Sequence, residues 1–186
     1  MRWTLTSGDI LDERADVLVC SANVFLNLSG GVGGAILLRC GDGMQQELHA
    51  LLTRSGKRHV ERGDVVTTAP HGLPFRAVVH AVAVNGFYES SPAVITDVVT
   101  KSLRAAAALG AGRVALAALG TGFGRLSMEQ FAEGLRPLLS PREFARWRRL
   151  SSASRATATG RLWRPHFRNL HDAVRLLGVL PADRLT

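Results

Sequence analysis

No apolar run in this sequence is much longer than a β-strand, and a membrane-spanning helix needs roughly 20 such residues. Nor is there an apolar leader: Met1-Arg2-Trp3-Thr4 runs into a polar segment. No secretory signal is expected from it, and cytoplasm is the expected address. Cysteine is scarce, only Cys20 and Cys40, so one bridge is the most the chain can form and no CxxC pair is available for a metal. The six histidines show no HExxH spacing, so no metal site and no bound cofactor are expected. Two nucleotide fingerprints are also missing. There is no GxxxxGK[ST], which argues against a P-loop enzyme, and no GxGxxG followed some twenty residues on by an acid.

What is abundant is positive charge, net +8 over 186 residues, and its location matters more than its size. Residues 1–135 hold 12 Lys and Arg against 12 Asp and Glu, whereas residues 136–175 hold ten arginines against Glu143 and Asp172. The length suits one compact domain with an appendage. The charge divides it into a neutral core, 1–135, and an Arg-rich, partly helical extension, 136–186. Nucleic acid is therefore a candidate partner through residues 136–175 alone; the same arginines read more simply as a solvated basic appendage.

Along the core, short apolar runs alternate with helical patterns, the signature of an α/β layered domain. Strands are expected at Trp3 to Ser7, Val17 to Cys20, Val65 to Thr68, Val78 to Val84 and Val114 to Leu119. Several are apolar throughout, as befits strands covered on both faces. One long helix is expected over Gly33 to Leu52. A second starts at Ser91-Pro92, where Ser can cap and Pro fits the first turn, and stops at Gly110. A third opens at Ser127 and Gln130, at capping-box spacing. Beyond Pro137, Glu143 to Leu150 and Asn169 to Leu177 read as helices, with a loop over Ser151 to Arg161.

Two glycine clusters each follow an apolar strand and precede a helix: Ser29-Gly30-Gly31-Val32-Gly33-Gly34 and Gly120-Thr121-Gly122-Phe123-Gly124. Glycine admits positive φ and close approach, so successive N–H groups can converge on an anion. A helix N-terminus just behind adds unpaired donors and partial positive charge. Either cluster alone reads equally as a tight turn; two at the carboxyl ends of strands in one sheet could clamp a diphosphate between them.

Gly8-Asp9-Ile10, Ala15-Asp16-Val17-Leu18-Val19-Cys20-Ser21-Ala22-Asn23 and Gly30-Gly31-Val32-Gly33-Gly34-Ala35-Ile36 together resemble the opening of macrodomains. Val78-Val79-His80-Ala81-Val82 looks like their central strand, and Gly120 to Leu126 like their second phosphate loop. The resemblance spans roughly residues 3–135. It implies a three-layer α/β/α fold around a central mixed sheet, acting as a monomer on ADP-ribose, free or attached to proteins. Asp9 and the Ile10 N–H would then meet the adenine, and Asn23 the distal ribose. Gly30, Gly31, Val32 and Gly33 would surround one phosphate, and Gly120, Thr121, Gly122, Phe123 and Gly124 the other. Phe123 would lay its ring along the distal ribose, or serve as a core-covering aromatic.

The chain also departs from that pattern. Hydrolytic relatives carry an aspartate where this sequence has Gly33, which removes the obvious acid for orienting water. Cys20 replaces the first Asn of the usual Asn-Ala-Ala-Asn, and no patterned basic partner marks it as a nucleophile. His80, in an apolar strand, reads as a satisfied core histidine. The family's further strand after the third helix has no counterpart between Arg136 and Leu150. The leading expectation is thus a binding module. The alternative is an ADP-ribosyl hydrolase for Asp or Glu esters, in which Asn23 is catalytic and the ligand's own phosphate assists the water.

Overall fold

The computed structural model describes residues 2–6, 8–145 and 175–179. The strands are β1 (Arg2–Thr6), β2 (Val17–Ala22), β3 (Val65–Thr68), β4 (Ala77–Val82), β5 (Arg113–Leu116) and β6 (Arg175–Val179). The helices are α1 (Gly31–Cys40), α2 (Gly43–Arg54), α3 (Pro92–Ala108) and α4 (Met128–Leu135). The six strands form one sheet in the order β1-β6-β5-β2-β4-β3. Its centre is parallel, β2 lying between β5 and β4, while β1, β6 and β3 pair antiparallel with their neighbours. Helix α1 packs with α2 and helix α3 with α4, which gives a three-layer α/β/α arrangement around a mixed sheet. Among the described residues no helix is long and apolar enough to cross a membrane.

The central strands are apolar throughout because helices cover both faces. All of β4 is buried, and Val17 to Cys20 of β2 is buried without interruption. Helix α3 turns Ile95, Val98, Val99, Ser102, Leu103 and Ala106 inward at helical spacing. Its start and stop are local: the Ser91 hydroxyl accepts from the Val94 N–H, and Gly110 takes φ of 69° just past the end. The capping box at α4 forms with both of its bonds, Ser127 with the Gln130 N–H and Gln130 with the Ser127 N–H.

At the amino ends of the parallel strands, Asp16 ties three of them together. Its Oδ2 accepts from the Gly112 and Arg113 N–H groups, each at 2.8 Å, and its backbone carbonyl accepts from the Arg76 N–H. The Arg113 N–H, outweighing burial, holds the Asp16 carboxyl below its ordinary pKa, with Gly112 and Arg76 adding to the effect. This fixes strand register at one end and leaves the opposite, carboxyl end free for loops.

Three expectations change. The single helix over Gly33 to Leu52 is two helices, because Gly41 adopts φ of 69° and ends the first one. The Asn169 to Leu177 helix is not formed in its described part: residues 175–179 are strand β6. The apolar Leu176-Leu177 pair sits between β1 and β5, whose backbones need a partner. The sheet therefore does receive a strand after α4, from well beyond Arg136 to Leu150. Of the Glu143 to Leu150 helix, residues up to 145 are helical. Residues 146–150, the Ser151 to Arg161 loop and residues 169–174 lie outside the described residues.

The start of the Arg-rich segment packs on the core. Leu138, Leu139 and Phe144 are partly buried against it, and Arg136 lies over the Phe144 ring. Glu143 accepts from the Trp3 N–H at 3.0 Å. Burial pushes the Glu143 carboxyl upward, but bonds from Ser140 and Trp3 more than offset this and leave it below its ordinary value.

Candidate functional site: a cleft between two glycine loops

The first loop leaves β2 at Asn23, whose side chain is fixed from both ends. Its Oδ1 accepts from the Phe25 and Asn27 N–H groups and its Nδ2 donates to the Asn27 carbonyl at 2.9 Å. One Nδ2 hydrogen remains for a ligand. Helix α2 braces the loop from behind. Gln45 bonds the Leu28 N–H and the Leu26 carbonyl, and His49, one turn on, meets the Asn27 Oδ1 at 2.9 Å.

Gly30 and Gly31 then adopt φ of 61° and 52° and turn the chain into α1. The first helical bond runs from the Gly34 N–H to the Gly30 carbonyl, and no side chain caps this end. The N–H groups of Gly31, Val32 and Gly33 thus have no helical acceptor, and they carry the positive end of the helix. Gly33 is tightly seated: a Cβ there would stand 3.2 Å from the Leu28 Cα. A side chain at this position needs the Asn23 loop to give way.

The second loop follows β5. Thr121 turns back on Ala118, its hydroxyl donating to that carbonyl at 2.8 Å and its N–H at 3.5 Å. The Arg125 N–H bonds the Gly122 carbonyl and the Leu126 N–H bonds the Gly120 carbonyl. Among the described residues, the Gly122 and Phe123 N–H groups have no acceptor. Gly124 is there for packing, since a Cβ would lie 2.5 Å from the Gly120 carbonyl oxygen.

The two loops meet. The Phe123 ring lies over Gly30, where a Cβ would stand 2.5 Å from Cε2. Tyr88 packs on Phe123 with centroids 5.7 Å apart. Beneath this closure is a cleft of about 120 Å³. That is below the roughly 300 Å³ at which ordinary ligand pockets begin, so a nucleotide-sized ligand must extend beyond it or swing the half-exposed Phe123 aside.

The structure brings Asn23, Gly30, Gly31, Val32, Gly33, Gly120, Thr121, Gly122, Phe123 and Gly124 into the wall of this one cleft. Asp9 and Ile10 do not line it. The Asp9 carboxylate accepts from the Leu11 N–H at 2.9 Å and pairs with Arg39 at 2.8 Å. The Ile10 N–H has no acceptor among the described residues. Sequence reasoning missed Asn27 and Tyr88, which also face the cleft. The signal for Tyr88 was the chain's single tyrosine, just after the Asn85-Gly86 turn and the end of the central strand.

Among the described lining residues there is no carboxylate, histidine, lysine or arginine. Cys20, one residue before Ser21 of the cleft wall, is sealed off. It is fully buried and its thiol is pushed up to about 12 by that burial. Its neighbour across the strand pair is His80, with Nδ1 at 3.5 Å from Sγ and Nε2 at 3.0 Å from the Thr68 hydroxyl. Burial lowers the His80 pKa to about 4, against a smaller opposing pull from Glu47. A neutral thiol and a neutral imidazole under the sheet surface are inert packing. Among the described residues no cluster of His, Cys, Asp and Glu could hold a metal ion.

Comparison with known proteins fits this geometry. The family model of the Macro domain matches residues 19–135. A macro domain-containing protein of Streptomyces nogalater is 38% identical over 126 residues, 67% of this chain and 70% of that protein. One of Streptomyces coelicolor is 35% identical over 130 residues, 69% of this chain and 77% of the relative. Among solved structures, an Oceanobacillus iheyensis macrodomain with ADP superposes with a TM-score of 0.65 at 17% identity, covering 84% of this chain and all of that one. A Trypanosoma brucei macrodomain in complex with ADP-ribose gives 0.55 at 21% identity, covering 77% of this chain and 56% of the other. Sequence match and shared architecture together show that the chain belongs to the macro domain family.

Proposed function

We propose that this chain is an ADP-ribose-binding module, taking the ligand free or attached to a protein. The observation that carries this reading is the cleft itself, where unpaired backbone N–H groups of two loops meet with no carboxylate among the lining residues. Such a surface suits a diphosphate, which needs many donors and repels acids. Gly31, Val32 and Gly33 serve one phosphate; Gly122 and Phe123 serve the other, with Gly120, Thr121 and Gly124 shaping the turn. Asn23 offers its remaining amide hydrogen to the distal ribose. Asp9 and the Ile10 N–H take the adenine edge, with Arg39 sharing the Asp9 carboxylate. ADP and ADP-ribose in the macrodomains of similar fold support the same ligand class.

Turnover is not part of the proposal. Among the described residues the cleft wall holds no acid or base to activate water, and the family resemblance puts Gly33 where its hydrolytic branch would carry an aspartate. Titration calorimetry with ADP-ribose tests the reading: saturable heat at one site is expected, and no heat at high micromolar ligand overturns it. Incubation with an automodified ADP-ribosyl transferase should release ADP-ribose no faster than buffer. Release above that blank, lost in Asn23→Ala while binding persists, would make the chain a hydrolase.

A further inference from the structure

A second cavity, of about 410 Å³, opens beside the cleft. The two share their walls. On one side Asn23 and Asn27 line the cleft, while Val24 and Phe25 between them line the second cavity. On the other side Val84 and Tyr88 line the cleft, while Asn85 and Gly86 line the second cavity. The chain between α2 and β3 closes it: the Val60 N–H bonds the Val24 carbonyl at 2.9 Å, and Arg62 reaches the Glu89 carbonyl at 3.5 Å. Within it the His59 ring stands edge-on to Phe25, centroids 6.5 Å apart, and Phe25 is 49% exposed.

These walls are held in place. Asn85 accepts from the Phe87 and Glu89 N–H groups and donates to the Glu89 carboxylate, which fixes one loop. Asn23 fixes the other. The charge on this stretch of chain leans positive. The end of α2 and the connection after it carry Arg54, Lys57, Arg58 and Arg62 against Glu61 and Asp64, and of these Arg62 and Glu61 line the cavity. None of these four cations forms an ion pair among the described residues.

We propose that this cavity is an acceptor subsite, which takes an acidic polypeptide segment flanking the residue that carries ADP-ribose. The proposal rests on the ADP-ribose reading of the cleft. With the distal ribose at Asn23, whatever the ribose is attached to leaves the cleft past Val24 and Phe25. There it meets two rings that can cover side-chain stems, the Arg62 guanidinium in the wall, and three further cations on the adjoining stretch of chain, which together favour carboxylates. Glu61, in the same wall, suits a peptide of mixed side chains and opposes an unbroken row of phosphates.

The test compares four probes on the full chain: free ADP-ribose, a peptide bearing it through a non-hydrolysable link with Asp and Glu flanks, the same peptide with Asn and Gln flanks, and a single-stranded oligonucleotide bearing it. The acidic peptide should bind about tenfold more tightly than free ADP-ribose, an advantage that fades in about 0.5 M salt as screening shortens. F25A and R62E should erase the advantage while binding free ADP-ribose as the unmodified chain does, which also reports that they fold. Equal affinity for free ADP-ribose and both peptides overturns the subsite alone. Tighter binding of the oligonucleotide than of the acidic peptide overturns it in favour of nucleic acid. Absence of free ADP-ribose binding by the unmodified chain overturns the underlying reading and the subsite with it.

Discussion

At the scale of the residue, His80 shows how the core constrains the conditions in which the protein holds together. It has no exposed surface, and both ring nitrogens are spoken for by Cys20 and Thr68. Its pKa falls from 6.5 to about 4 in the fold. Protonation is thus easier in the unfolded chain. The stabilisation is whole above pH 6.5, declines as the pH drops below that value, and is lost near pH 4. The full span amounts to about 3 kcal/mol, from roughly 1.4 kcal/mol per pKa unit. Denaturant titrations at pH 7.5 and 4.5 should show it, and His80→Gln, which cannot titrate, should reduce the loss by that order. An unchanged pH slope in the variant would refute the assignment. The buried pair with Cys20 could not be read from the sequence, because adjacency of the two residues depends on the parallel register of β2 with β4. Only the apolar setting of His80 was legible.

At the scale of the element, the first glycine loop combines positions that need glycine with one that does not. Gly30 and Gly31 need their positive φ, and Gly33 is hemmed in by Leu28. Gly34 has ordinary helical φ, no atom within 4 Å of an added Cβ, and an N–H already bonded to the Gly30 carbonyl. Gly34→Ala should therefore stabilise α1 by about 0.5–1 kcal/mol through lost unfolded-state entropy, with ADP-ribose affinity unchanged in calorimetry. A fall in the unfolding midpoint would show that Gly34 does not occupy an open, unstrained helical position. The positions of both loops were legible because each glycine cluster follows an apolar strand. Their relation was not: the Phe123 ring on Gly30 closes the cleft across 93 residues of sequence. The break at Gly41 was also hidden, since apolar spacing continues through Leu48 and Leu52 and a single glycine inside a helical pattern is often tolerated.

At the scale of the whole molecule, the sheet bears on where the domain ends. The charge change at residue 136 suggests a boundary there, yet among the described residues β1 pairs with β6 and with no other strand. Residues 175–179 were hard to place as strand because Arg175-Leu176-Leu177-Gly178-Val179 is too short to show period, and the helical spacing before it invites extension. Deleting everything after Leu135 removes β6, strips the β5 edge of its partner and leaves β1 with nothing to pair with. It also removes Glu143, which accepts from the Trp3 N–H, and Phe144, which covers part of the core. A domain of this size holds only about 5–15 kcal/mol in reserve, and an unpaired β1 and β5 would expose strand edges prone to association. The truncated chain should melt more than 10 °C below the full chain, at about 2–4 °C per kcal/mol lost for a chain of this length, or come out of solution. If a chain ending at Leu135 instead melts where the full chain does and binds ADP-ribose equally well, β6 is an accessory strand and the neutral core is the complete domain.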